Sequence, residues 1–316
     1  MPAIIDIRGL TKRFGGITAV DDLHLTIQHG EMFGIVGPDG AGKTTTFRML
    51  TGVLTPTSGT AVILGFDLMK ESKVIKREIG YLSQRFSLYG DLTVDENIEF
   101  FAEINEVYDY RDRREELLEF TRLTPFRKRL AEQLSGGMKQ KLALACTLIH
   151  KPRIIFLDEP TTGVDPVSRR DFWKILSSLL EENITIVMST PYLDEAERCA
   201  RVALMNKGKI MVVDSPQNIK HSMVGHVIEI VCDRIRAAAG VLKANAQVRD
   251  VQAFGDRLNI VVDDVKRDLP GVERALREAG IHIAELRVVN PSLENIFISL
   301  MSRETTPSSL VIDSKS

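Results

Sequence analysis

Hydrophobic positions along the chain follow two different rhythms. Solid apolar runs, Met32-Phe33-Gly34-Ile35-Val36, Ile154-Ile155-Phe156-Leu157 and Ile184-Thr185-Ile186-Val187-Met188, suit strands buried on both faces. Ile4 to Leu10 and Ala19 to Ile27 are also strand-like, with Gly15-Gly16 as the turn between them. Between the runs, apolar residues recur at helical spacing in Thr44 to Leu50, with Gly52 just past its end, in Lys139 to Ile149 and in Leu193 to Cys199. Strands alternating with helices predict a parallel sheet covered on both faces. From Arg85 to Gln133 the alternation gives way to charge-rich helical periodicity, including Asp95 to Ile104 and Arg111 to Leu123. That is the pattern of an all-helical insertion in an α/β core.

Around Ser215 to Gly225 the pattern breaks, and the residues beyond it read as a separate small unit. Its expected elements are strand His226 to Cys232, helix Arg234 to Asn245 and strands Val248 to Phe254 and Leu258 to Val262. Helix Leu269 to Ala279, strand Ile281 to Val288 and helix Leu293 to Met301 complete it. The order β-α-β-β-α-β is the ferredoxin-like arrangement. It carries no catalytic constellation, so packing, dimer contact or regulation is its expected role. Arg303 to Ser316 is Ser/Thr-rich and is expected to be disordered.

Composition changes this picture little. A chain of 316 residues suits two domains, and 44% hydrophobic with 27% charged residues is ordinary for a soluble globular protein. No apolar run approaches the ~18 residues of a membrane span, and the N-terminus lacks the basic-then-apolar pattern of a secretory signal. A net charge of −2 gives no electrostatic footprint for nucleic acid. The basic clusters Arg111 to Arg114 and Arg127-Lys128-Arg129 sit in mixed-charge helical stretches and read as solvated faces. Cys146, Cys199 and Cys232 lack metal-type spacing and suit a reducing cytoplasm.

The candidate chemistry begins at Gly37-Pro38-Asp39-Gly40-Ala41-Gly42-Lys43-Thr44, which fits the phosphate-cradling pattern G-x-x-x-x-G-K-[ST] between a strand and a helix. Glycines let backbone N–H groups face the phosphates, and the helix N-terminus adds positive partial charge. Lys43 can reach the terminal phosphates and the Thr44 hydroxyl can hold Mg²⁺. Asp158 and Glu159 end an apolar strand, where one carboxylate can hold Mg²⁺ and its neighbour can orient or deprotonate a water. Leu134-Ser135-Gly136-Gly137-Met138-Lys139-Gln140 opens a helix and makes a second potential anion site. Phe14, just before a glycine turn, is either a core aromatic or a platform for a purine. Asn206-Lys207-Gly208-Lys209 superficially matches a guanine-reading motif but lacks its aspartate, so a GTPase is rejected.

Together these motifs, with Ser83-Gln84-Arg85 and Gly163-Val164-Asp165-Pro166 in the same order, resemble the ATP-binding subunit of ABC transporters. The C-terminal unit, including Pro291-Ser292-Leu293-Glu294-Asn295-Ile296-Phe297, looks like the accessory domain of the drug-exporter subgroup. The resemblance implies a P-loop NTPase cassette over residues 1–220 with a mixed or parallel sheet and a helical subdomain at about 85–148. A small α+β ferredoxin-like accessory domain over 226–302 and a disordered tail over 303–316 would follow. It implies ATP contacts from Phe14, Gly37, Pro38, Asp39, Gly40, Ala41, Gly42, Lys43, Thr44 and Thr45. Mg²⁺ would sit among Thr44, Gln84 and Asp158, and Glu159, Gln84 and Lys43 would be catalytic, with Glu159 the general base. Ser135, Gly136 and Gly137 would complete the site of a second ATP-binding subunit, in a homo- or heterodimer, so that ATP closes the dimer.

The implied function is an ATPase powering export of a small molecule through a separate integral membrane permease, at the cytoplasmic face of the membrane and without nucleic acid. One departure stands out. The family carries a histidine after the last strand of the site, and here Ser189-Thr190-Pro191-Tyr192 places Pro191 there, with neither a donor N–H nor a titratable side chain. Hydrolysis is therefore expected to be reduced but present. The alternatives are a soluble ABC-type ATPase, which usually pairs two cassettes in one chain, or a regulatory ATP-binding module, which only Pro191 recommends.

Overall fold

A computed structural model describes residues 3–84 and 88–305, with side chains to residue 302. Its contacts divide the chain into two units, with the boundary between Val213 and Asp214.

The first unit opens with a long hairpin, β1 (Ala3–Phe14) and β2 (Ile17–Gln28), whose turn holds Gly15 at φ 56°. Both strands run further than their apolar cores suggest, because cross-strand pairing continues to Phe14 opposite Ile17. Then come β3 (Met32–Val36), α1 (Lys43–Leu50), β4 (Ser58–Ile63), β5 (Phe66–Asp67), α2 (Ser72–Glu78) and β6 (Ile79–Leu82). Strands β4 and β5, which the apolar pattern does not predict, complete an antiparallel sheet of order β2-β1-β4-β5. The β4 burial alternates only at its end, so its periodicity is weak. The helical insertion contains α3 (Val94–Ile104) and α4 (Tyr110–Phe120); its expected first residue, Arg85, lies outside the described residues. Thr93 and Glu96 form a full capping box at the start of α3.

The chain returns to the core through α5 (Gly136–Leu148), β7 (Ile154–Asp158), α6 (Pro166–Glu181), β8 (Thr185–Thr190), α7 (Leu193–Ala196), β9 (Arg201–Asn206) and β10 (Lys209–Asp214). The second sheet has the order β10-β9-β3-β8-β7-β6, and the pairs from β9 through β6 are parallel. Every residue of β3, β7 and β8 is buried, as solid apolar runs require of central parallel strands. The order of β3, β8 and β7 brings the C-terminal ends of these three buried strands side by side. In parallel sheets this edge is where ligands bind. The two sheets share one continuous buried cluster, in which Phe47 of α1 stands edge-on to Phe156 of β7 at 5.6 Å.

The second unit begins with α8 (Pro216–His221), capped by Ser215, where the sequence pattern shows only a break. It continues as β11 (His226–Cys232), α9 (Ile235–Lys243), β12 (Asp250–Phe254), β13 (Arg257–Val262), α10 (Val265–Glu278) and β14 (Ile283–Val289), then α11 (Leu293–Thr305). Its antiparallel sheet has the order β12-β13-β11-β14, which is the ferredoxin-like order. Helix α10 starts four residues before the expected Leu269, with Pro270 inside it. Proline favours a first turn, but Asp264 sets the start here by accepting from Arg267 N at 2.9 Å. Helix α11 runs past the expected Met301 to Thr305; the rest of the expected tail, 306–316, lies outside the described residues. Among the described residues no helix is long and apolar enough to cross a membrane.

Trp173 on α6, the chain's single tryptophan, is buried in the first unit and reports its unfolding. Replacing Phe156 by Ala leaves a cavity against Phe47 and costs about 3–5 kcal/mol. Urea titration followed by Trp173 fluorescence shows this as a lowered midpoint, with Phe156→Leu intermediate.

Candidate functional site

The site is built where β3 hands over to α1. At Gly37 the chain passes so close to β9 that a Cβ would lie 2.1 Å from the Met205 carbonyl oxygen, so no side chain fits. Gly42 has φ 106°, and a Cβ there would lie 2.5 Å from the Ala19 carbonyl. It is also the N-cap of α1 and offers no side-chain acceptor, so the amides of the first turn are left for a ligand. Lys43 is buried; its Nζ donates to the Gly37 carbonyl at 2.8 Å and to the Pro38 carbonyl at 3.1 Å. A cleft of about 530 Å³ lies over this loop, walled by residues 39–45, Gln84, Glu159, Thr162, Pro191 and Tyr192.

At the end of β7 two consecutive carboxylates take different partners. Asp158, fully buried, accepts from Ser189 Oγ at 2.5 Å and from Thr44 Oγ1 at 3.1 Å on Oδ1. Its Oδ2 faces the Tyr81 hydroxyl at 3.4 Å. Burial, and then the Asp158 charge, push the Tyr81 phenol up to about 12, which keeps it a donor. Glu159 has left-handed backbone, φ 51°, held by its amide donating to the Ser189 carbonyl and to Ser189 Oγ, both at 3.1 Å. That conformation costs a non-glycine residue about 1–3 kcal/mol. It also aims the side chain: Glu159 Oε1 lies 3.2 Å from Lys43 Nζ, and Oε2 accepts from Gln84 Nε2 at 2.9 Å.

Thus Lys43, Thr44, Gln84 and Glu159, far apart in sequence, converge on one cleft, with residues 39–42 and Thr45 lining it and Asp158 buried behind Thr44. The donor set suits Mg²⁺, a hard cation that takes one or two carboxylates and completes its shell with phosphates and water. Thr44 Oγ1 and Asp158 Oδ1 form a close oxygen pair beside the uncapped helix end. Among the described residues no group of three or more His, Cys, Asp or Glu forms a closed metal cage.

Two sets of expected residues lie elsewhere. Phe14, about half exposed, has Lys12 Nζ 5.1 Å above its ring and does not line the cleft. Ser135, Gly136 and Gly137 do not line it either. Ser135 caps α5, its Oγ accepting from Met138 N at 3.3 Å, while Ser135 and Gly136 are exposed. Gly137 is buried, and a Cβ on it would come 2.3 Å from Ser168 Oγ on α6. Its lack of a side chain therefore has an intrachain reason, the close crossing of two helix N-termini.

Three polar residues of the site, Ser189, Tyr81 and Glu195, are not marked by any motif. Glu195 is 1% exposed and accepts from Thr161 Oγ1 at 2.5 Å and Thr190 Oγ1 at 2.8 Å. In Leu193-Asp194-Glu195-Ala196 it reads as one more acid in the first turn of a helix, a pattern normally solvated. Nothing in its spacing marks it as buried.

A model of the ABC transporter family matches residues 20–162, and one of the C-terminal domain of DrrA1-3-like ATP-binding proteins matches residues 215–301. The chain is 48% identical over 227 residues to the probable multidrug ABC transporter ATP-binding protein YbhF of Escherichia coli, covering 71% of this chain and 39% of that one. It therefore spans well under half the length of that relative. To the daunorubicin resistance ATP-binding protein DrrA3 of Streptomyces coeruleorubidus it is 35% identical, over 94% of this chain and 95% of that protein. A solved dimeric ATP-binding cassette in a post-hydrolysis state, bound to ADP and Pi, matches with TM-score 0.60 at 28% identity, over 67% of this chain and 98% of its own.

The steric argument at the glycines is testable at two places. Gly37→Ala forces β3 off β9 and lowers the affinity for a fluorescent ATP analogue by about tenfold or more, read by titration. Gly137→Ala overpacks the α5–α6 crossing and costs about 1–3 kcal/mol in urea unfolding. Adding Ser168→Gly to Gly137→Ala recovers most of that loss.

Proposed function

Because this chain belongs to the ABC transporter ATP-binding family, we propose that it binds and hydrolyses ATP to power export of a small molecule through a separate membrane subunit. The observation that carries the reading is the Lys43–Glu159–Gln84 cluster at the floor of the cleft, beside the uncapped start of α1. In this arrangement Lys43 directs its donors to its own loop carbonyls and to Glu159. The γ-phosphate of ATP is a stronger acceptor than either carbonyl, so Lys43 turns to it and releases Glu159. Loop residues 37–42 and the first-turn amides of Lys43, Thr44 and Thr45 surround the phosphates. Thr44, Asp158 and Gln84 would hold Mg²⁺, which would neutralise phosphate charge. Glu159, freed of its ion pair and still oriented through Gln84, takes a proton from water as the water oxygen bonds to the γ-phosphorus and the bond to ADP breaks. Once phosphate has left, Glu159 returns the proton to solvent.

Phe14 stacks on the adenine; stacking needs only a ring, so phenylalanine serves. Ser135, Gly136 and Gly137 lie outside this chain's cleft, which supports their use at the γ-phosphate of ATP held by a second ATP-binding subunit in a two-fold dimer. The solved cassette matched above is itself dimeric and holds ADP and Pi. On this reading the first unit, ending at Val213 rather than at the expected residue 220, is the cassette, with its helical subdomain meeting the membrane permease at the cytoplasmic face, and the second unit, which includes α8, is the accessory domain. Drug export in particular is suggested by the name of the full-length relative, a daunorubicin resistance protein.

Pro191 lines the cleft where it can offer the γ-phosphate no hydrogen bond. A bond to a charged group is worth about 1.5–3 kcal/mol, so Pro191→His raises turnover by about tenfold in a Mg²⁺-ATPase assay. Glu159→Gln lowers turnover by about 100-fold or more and leaves an ATP-bound dimer that survives size-exclusion chromatography. Unchanged turnover in Glu159→Gln removes Glu159 as the base. Absence of ATPase activity in the native protein, alone and with its copurified membrane partner, overturns the whole reading.

A further inference from the structure

Glu195 is a buried carboxylate that the hydrolytic scheme does not use. A carboxylate shut away from water is costly unless its oxygens are fully engaged. Here both are engaged. Oε1 takes the Thr161 hydroxyl at 2.5 Å and has Arg169 Nε at 3.6 Å; Oε2 takes the Thr190 hydroxyl at 2.8 Å. These partners belong to three separate pieces of the first unit. Thr161 lies in the loop after β7, two residues beyond Glu159. Thr190 ends β8 immediately before Pro191. Arg169 is on α6, and its guanidinium also lies 5.1 Å over the ring of Tyr192.

We propose that Glu195 is a positioning residue that ties the Pro191-Tyr192 wall of the cleft to the loop after β7, which caps α6 and touches α5, so that the wall of the chain's own nucleotide site is coupled to its Ser135–Gly137 surface. The connection can be followed atom by atom. On the cleft side, Thr190 Oγ1 accepts from the Tyr192 amide at 3.0 Å while donating to Glu195. Pro191 between them has no N–H, so the wall's position rests on its two neighbours. On the other side, Pro160, next to Thr161, accepts through its carbonyl from Gln140 Nε2 of α5 at 2.5 Å. Further along the same loop, Asp165 caps α6 through Val167 N and Ser168 N at 3.1 and 3.0 Å. Ser168 in turn occupies the space that the missing side chain of Gly137 leaves. One carboxylate therefore stands between a wall that meets this chain's ligand and a helix start that presents Ser135 outward.

This proposal rests on the ATPase reading above for what the two surfaces do, and its test separates the two. The full chain is compared with Glu195→Ala, Thr161→Val, Thr190→Val and the double variants, measuring kcat, KM for ATP, and the affinity of a fluorescent ATP analogue. Positioning predicts a fall in kcat of about tenfold to a hundredfold for Glu195→Ala, with KM and analogue affinity within about twofold of native. Thr161→Val added to Glu195→Ala gives no further loss, because both cut the same link. In the Glu159→Gln background, Glu195→Ala weakens the ATP-dependent dimer by about tenfold without changing analogue affinity, a readout that needs no hydrolysis. Glu195→Gln, which keeps one acceptor, recovers most of kcat. If Glu195→Ala lowers analogue affinity and kcat together, or if the threonine losses multiply with it, Glu195 is merely structural and the coupling is wrong. A native chain that binds ATP and dimerises without turnover sinks the ATPase reading but leaves the dimer readout to judge Glu195.

Discussion

A buried ammonium organises the first unit. The Lys43 side chain is 3% exposed, and Glu159, 6% exposed, is the carboxylate beside it. An unpaired charge at that depth is expensive, several kcal/mol even after relaxation, so Lys43 has to be met by polar atoms from every side. The Gly37 and Pro38 carbonyls supply two, and they can approach only because the loop is bare of side chains where it turns. Glu159 supplies the charge, and it reaches Lys43 only because β7 lies next to β8 and β8 next to β3 in the sheet. The glycine loop, the strand order and the paired carboxylates are thus three answers to one electrostatic demand. The same demand explains why the site is ready for an anion. A cation satisfied by carbonyls and a single carboxylate has more to gain from a phosphate than from either.

The second constraint is how two adjacent carboxylates avoid each other. Asp158 turns into a ring of hydroxyl donors from Thr44, Ser189 and Tyr81, while Glu159 turns toward Lys43 and Gln84. The left-handed backbone at Glu159 makes that divergence sharper than strand alternation alone, and Ser189 holds it from the next strand. Ser189 is central here: its hydroxyl donates to Asp158 and receives the Glu159 amide. One serine fixes both acids, so that one faces the oxygen-rich corner and the other faces the open cleft.

Legibility in the sequence follows from how each feature is encoded. The phosphate loop can be read because its chemistry lies in backbone freedom, and glycine spacing states that freedom directly. β3, β7 and β8 can be read because both faces are buried and their apolar runs are unbroken. β4 cannot, since exposed residues dilute its single buried face, and β5 is only two half-buried residues, too short to carry a pattern. Helix starts are misjudged where two rules compete: Pro270 suggests a first turn, and Asp264 caps one earlier. Gly137 answers to two constraints, of which only one is local. A glycine pair at a helix start suggests an anion site, yet the buried member also answers to Ser168 of another helix, a contact 31 positions away that no local pattern contains. Glu195 is hidden for the same reason, because burial of an acid is decided by partners in other elements.

The partners of Glu195 also decide what Pro191 does to the site. Proline removes a donor from the cleft wall but stiffens it, fixing φ at about −65°. Its flanking residues are held on both sides, Thr190 by the Glu195 carboxylate and Tyr192 by the Thr190 hydroxyl and the Arg169 guanidinium. A wall that cannot contact a phosphate through its own side chain can still exclude water and set the width of the cleft. For those tasks rigidity matters more than a hydrogen bond, since a preorganised wall diverts no binding energy into being ordered. The chain thus carries a site strong in fixed geometry and poor in one contact. In the proposed ATPase the chemistry would then rest on Glu159, Lys43 and the loop, with the Pro191 segment acting through position alone.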